Sequence, residues 1–128
     1  MKAPVWVRRD VVFAFHDRLL AEHGGSTGIR DEGLLESALA RPQNLVACGK
    51  PALPELAASY AFGLVKNHPF IDGNKRTGFA TAALFLQLNG LHFDATEVDV
   101  VLRTLALAAG EMSEADYAAW LKANSKHA

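Results

Sequence analysis

The chain has a single cysteine, Cys48, in 128 residues. One thiol closes no internal disulfide and builds no cysteine metal cluster, which points to a reducing compartment. Charge of one sign is missing as well: 13 Lys and Arg against 14 Asp and Glu leave a net charge of −1. No broad basic face is expected, and hence no direct nucleic acid binding. Such weak net repulsion leaves self-association or a protein partner open. Long apolar runs are absent too. The most apolar stretch, Phe79–Leu88, is about half the length that crosses a bilayer, and Met1–Trp6 lacks the apolar segment of a signal peptide. A cytoplasmic protein with no membrane association is therefore expected. Half the residues are apolar and 21% charged, an ordinary globular balance. The length suits one domain over residues 1–128, able to bury roughly two-thirds of its unfolded surface.

Helical periodicity dominates, so an all-α fold of five or six helices is expected. Val12, Phe15, His16, Leu19 and Leu20 repeat at helical spacing over about Arg9–Glu22, which stops at Gly24-Gly25. Asp31 has the chemistry of an N-cap for a short helix carrying Leu34, Leu35, Ala38 and Leu39, expected to end before Pro42. Periodicity then fails to about Leu53, which predicts a mobile flap. Pro54 suits the start of a helix bearing Ala57, Tyr60, Ala61, Leu64 and Val65. A helix over about Lys75–Leu88 is apolar on nearly every side and is expected at the centre of the fold. Leu91-His92-Phe93 reads as a short extended piece. Thr96 and Ser113 look like caps of two last helices, and Asn124–Ala128 as a frayed tail.

The chemistry concentrates in His68-Pro69-Phe70-Ile71-Asp72-Gly73-Asn74-Lys75-Arg76-Thr77-Gly78, between two helices. Free N–H groups at a helix start, with the dipole behind them, attract an anion. Gly73 lets the backbone turn sharply and approach a ligand. Asn74, Lys75 and Arg76 add donors and two positive charges. Charge-assisted hydrogen bonds contribute roughly 1.5–3 kcal/mol each, enough in concert to fix a di- or triphosphate. His68 could take a proton from an attacking hydroxyl. Asp72 is a hard oxygen ligand suited to Mg²⁺ alongside substrate phosphates. Phe70 reads as the inward anchor of the loop. Each residue alone has a plainer explanation, as helix breaker, turn or solvated charge; it is their convergence at one helix entrance that argues for a site.

His68-x-Phe70-x-Asp72-Gly73-Asn74-Lys75-Arg76 resembles the signature of the Fic/Doc (Fido) superfamily, in the version of death-on-curing toxins. His16-Asp17-x-Leu19 through Gly24-Gly25, Gly28-Ile29-Arg30-Asp31 and Gly33-Leu34-Leu35-Glu36-Ser37-Ala38-Leu39 extend the resemblance over nearly the whole chain. It implies the helical Fido fold, with His68 as catalytic base, Asp72 as the residue that positions Mg²⁺, and Asn74, Lys75 and Arg76 handling the phosphates of ATP, assisted by the amides of Gly73–Arg76. It also implies a toxin of a type II toxin–antitoxin system. Such toxins phosphorylate a threonine of elongation factor Tu, and a separate antitoxin protein folds onto them. Adenylylating relatives usually carry Gly where Lys75 stands and a second Arg where Phe79 stands. Both departures favour transfer of the γ-phosphoryl over transfer of AMP. The Ser/Thr-x-x-x-Glu-Gly/Asn segment that inhibits Fic enzymes from within has no counterpart here. Two rival readings are an AMP transferase and a Fido-fold binding module without activity.

The remaining candidates have plainer readings. His16 and His23 lie seven apart with no further metal ligand at suitable spacing, so His16 reads as a satisfied helix residue. His92 and His127 are isolated, and Cys48 has no nearby His to activate it. Arg30-Asp31 could support the active-site side of the fold, though a cap beside a surface charge explains the pair equally well.

Overall fold

The computed structural model describes residues 3–128, and the capping signals of the sequence fall at its helix ends. Helix α1 (Arg9–His23) buries Val12, His16 and Leu20 and stops at Gly24, whose φ of 80° few side chains tolerate. Asp31 opens α2 (Glu32–Cys48) by accepting a hydrogen bond from Leu34 N at 2.9 Å. α3 (Leu53–Asn67) begins with Pro54 in its first turn, and the Glu55 carboxylate reaches back to Ala52 N at 3.1 Å. α4 (Asn74–Leu88) leads through Asn89-Gly90 into strand β1 (Leu91–Phe93). Thr96 and Ser113 cap α5 (Glu97–Ala109) and α6 (Glu114–Ala123) by accepting from the backbone three residues on. Strand β2 (Ser125–His127) pairs antiparallel with β1, Leu91 opposite His127. Helix accounts for 67% of the described residues, the all-α architecture expected of the Fido fold. Among the described residues no helix is long and apolar enough to cross a membrane.

The structure corrects two expectations. The second helix does not end before Pro42 but runs through it to Cys48, so 42–53 is no flap, and only a short link separates α2 from α3. Pro42 forfeits one backbone bond, yet it is buried with Leu35 and Ala38. Arg41 holds the turn beside it, donating to Ser59 O at 3.0 Å and to Glu114 Oε1 at 2.8 Å. Tertiary contacts therefore carry the helix past a residue that would break an isolated one. The tail is not frayed either. Asp94 N donates to Asn124 O and Ala128 N to Gly90 O, so the last residues close a small ladder.

The centre of the fold is α3 more than α4: ten of its fifteen residues are buried, against seven of fifteen in α4. Leu35, Leu56, Tyr60, Leu64, Phe70, Phe85, Leu107, Tyr117 and Leu121 fill one core. Gly63 lets α2 and α3 approach closely, since a Cβ there would lie 3.1 Å from Ala38 Cα. Gly78 does the same for α4 against Val65 and the Ala61 carbonyl. The loop from His68 to Gly73 thus joins two helices that cannot easily shift apart.

Candidate active site

The loop is built from its anchor outward. Phe70 is fully buried, and the buried His16 ring stacks on it at 3.8 Å between centroids, nearly parallel at 13°. Asn74, also buried, brackets the same residue. Its Oδ1 accepts from Phe70 N at 3.0 Å and its Nδ2 donates to Phe70 O at 3.0 Å. A carbonyl can only accept and an N–H can only donate, so these two bonds fix which way the amide faces. The same Nδ2 contacts His68 Nδ1 at 3.1 Å. Because that nitrogen comes as a donor, Nδ1 accepts, and a neutral His68 carries its proton on Nε2.

His68 ends α3 with φ 53° and ψ 51°, the one left-handed non-glycine among the described residues. For a residue with a Cβ this costs roughly 1–2 kcal/mol. The neighbouring chain holds it there. Arg30 donates from Nε to His68 O at 2.6 Å and from Nη2 to Asn67 O at 2.8 Å. The N–H groups of Arg30 and Asp31 both point at Pro69 O, Ile71 N donates to Gly28 O, and Ile29 bridges Phe70. The His68 side chain is exposed. With Lys75 it lines an open groove of about 600 Å³ whose other wall is α5, at Leu102, Leu105 and Ala106.

Gly73 is left-handed at φ 79° and opens α4 with no side-chain cap. The first backbone bond of that turn runs from Thr77 N to Gly73 O, so the N–H groups of Asn74, Lys75 and Arg76 find no backbone acceptor among the described residues. Lys75 and Arg76 are exposed and enter no ion pair among those residues. Such an end, with the helix dipole behind it, has the electrostatics that attract an anion. The exposed Asp72 accepts from Gly73 N on Oδ1 and from Ser26 N on Oδ2, at 3.1 and 3.3 Å. Its backbone carbonyl accepts from His16 Nε2 at 2.8 Å. Each carboxylate oxygen keeps a free lone pair. No three metal-binding side chains cluster among the described residues. Asp72 therefore fits a cation that arrives with phosphates better than one caged by protein alone.

The structure thus brings His68, Asp72, Gly73, Asn74, Lys75 and Arg76 to one helix entrance, while differing in what one of them does. The Asn74 amide is consumed by Phe70 and His68, so its side chain organises the loop and only its N–H remains for an anion. Phe79 points into packing, edge-on to Phe93 at 5.6 Å and near Trp120 at 6.4 Å. His16 is satisfied within the fold. Sequence reasoning missed the contribution of 24–28, where Ser26 touches Asp72. The cluster of glycines was its signal: Gly24, Gly25 and Gly28 all have positive φ.

A Fic/DOC family model matches residues 6–86, which span α1 through most of α4 and contain the whole loop. A curated relative named Toxin Doc, from Mycolicibacterium smegmatis, is 46% identical over 80 residues, which are 60% of this chain and 60% of that protein's own length. A second, named Protein kinase doc, from Escherichia phage P1, is 35% identical over 113 residues, 87% of this chain and 88% of the phage protein. With its site geometry, its helical fold and these matches in agreement, the chain belongs to the Fic/DOC family.

Proposed function

We propose that this chain is a death-on-curing type toxin that transfers the γ-phosphoryl of ATP to a Thr or Ser hydroxyl of a protein. One observation carries the reading: His68 and Lys75 line one groove at a helix entrance whose N–H groups find no backbone acceptor, and whose two cations no ion pair, among the described residues. A triphosphate supplies the charge these groups lack, and the acceptor hydroxyl would meet it at His68. The name of the phage relative, Protein kinase doc, supports phosphoryl transfer. Phe79 supports it too, since no second Arg stands ready to clamp an α-phosphate.

In the reaction the acceptor oxygen bonds to the γ-phosphorus while the bond to the β–γ bridging oxygen breaks, and ADP leaves with that electron pair. The N–H groups of Asn74, Lys75 and Arg76, with the Lys75 and Arg76 side chains, offset the charge that develops. Mg²⁺, when bound, would lie on the Asp72 carboxylate and neutralise part of the phosphate charge. His68 first presents a proton on Nε2, which suits it to hold an oxygen of the acceptor or the phosphate. It becomes the base for the hydroxyl proton when the Asn74 contact opens and the ring proton moves to Nδ1. A loose transition state tolerates such late proton removal.

Elongation factor Tu is the protein substrate that the resemblance implies, and a separate antitoxin the partner. The name Toxin Doc supports a toxin role. Incubation of the protein with elongation factor Tu and ATP labelled at either the α or the γ position tests the reading. Label from the γ position on the target is expected. Label from the α position would replace the reading with AMP transfer, and no label from either would leave a binding module.

A further inference from the structure

Asn67, His68 and Pro69 offer three successive carbonyls at the end of α3, and residues 30–31 take all three. The Arg30 guanidinium spans the first two through Nη2 and Nε, at 2.8 and 2.6 Å, while the Arg30 and Asp31 N–H groups take the third at 2.6 and 3.0 Å. Arg30 forms no ion pair among the described residues, so its charge is spent on carbonyl oxygens rather than on a carboxylate. Those oxygens carry the negative end of the α3 dipole, where a guanidinium is favoured. The residue so gripped is also the one non-glycine in the left-handed region among the described residues. Sparsely populated backbone conformations of this kind persist where the surrounding contacts hold them.

We propose that Arg30 is a positioning residue that acts through His68, holding its backbone so that the imidazole faces the acceptor. The inference rests on the role given to His68 above. Arg30 need not touch either substrate. A planar fork reaches two neighbouring carbonyls at once, whereas a lysine ammonium supplies the same charge at one point. Arg30→Lys therefore separates geometry from charge.

Turnover with ATP and elongation factor Tu should fall about tenfold to a hundredfold in Arg30→Ala, the scale of a small misplacement of a catalytic group. KM for ATP should hold, because the phosphate-binding N–H groups belong to α4. Arg30→Lys should recover only part of the loss. Amide hydrogen exchange should quicken in Arg30→Ala from His68 to Ile71 and stay unchanged in the core of α3. Wild-type turnover in Arg30→Ala, full recovery in Arg30→Lys, or faster exchange spread over the whole chain would each overturn the proposal. Should the unmodified protein transfer no label, the proposed function fails separately, and exchange alone decides whether Arg30 braces His68.

Discussion

The two halves of the loop between α3 and α4 are built on opposite plans. From Asn67 to Ile71 every backbone carbonyl but the last accepts a bond, from Arg30, Asp31 or Asn74, and Phe70 lies fully buried beneath. From Asp72 to Arg76 the chain turns outward, and among the described residues three N–H groups find no backbone acceptor and two cations no ion pair. The first half is closed on itself and can hold a side chain in a strained pose. The second is open to solvent and presents its donors outward. Buried polar groups are normally satisfied within the fold, and the contrast here is between donors and acceptors paired inside the protein and donors turned toward solvent at one helix end.

Perturbing each half should give different losses, in descending order. His68→Ala should cut phosphoryl transfer by about 10²–10⁴, the worth of a proton-transfer group, with an unchanged melting temperature. Retained transfer would remove His68 from the chemistry. Phe70→Ala breaks the closed half from below, and stability should fall by about 3–5 kcal/mol in denaturant unfolding. A loss under about 1 kcal/mol, the ordinary scale of point substitutions, would show that the anchor is dispensable. In the open half, Lys75→Ala and Arg76→Ala should each weaken ATP binding by roughly 1.5–3 kcal/mol with stability intact, as titration calorimetry would read. Equal affinity would place the phosphates elsewhere. Smallest of all, Asp31→Ala removes the α2 cap and should cost about 1 kcal/mol of stability. A transfer rate unaffected once folding is corrected for would separate that cap from the grip of Arg30.

Local signals in the sequence carried far in this fold. Asp31, Thr96 and Ser113 cap helices as their side-chain chemistry predicts, because a cap depends on three or four adjacent residues. What escaped depends on residues far apart in the chain. Pro42 reads as a stop until Arg41 is seen bonded to Glu114, and Ser125–His127 reads as a loose end until Leu91–Phe93 lies beside it. Three-residue strands are too short to show alternation. In the site, the motif announced which side chains gather, but the division of labour among them was not legible. Asn74 looks like a phosphate donor in sequence. Only the bonds to Phe70 N and O show its amide already engaged.

Gly25 is the point at which the 24–28 turn lies closest to Asp72 and Leu20. A Cβ at position 25 would stand 3.0 Å from Asp72 Oδ2 and 2.8 Å from Leu20 Cδ2, on a backbone of φ 125°. A methyl at position 25 would therefore crowd Leu20 and the Asp72 carboxylate together and strain the turn that carries it. The bare backbone at position 25 is thus what lets the 24–28 turn close over the base of the loop, with Ser26 N reaching the carboxylate beside it.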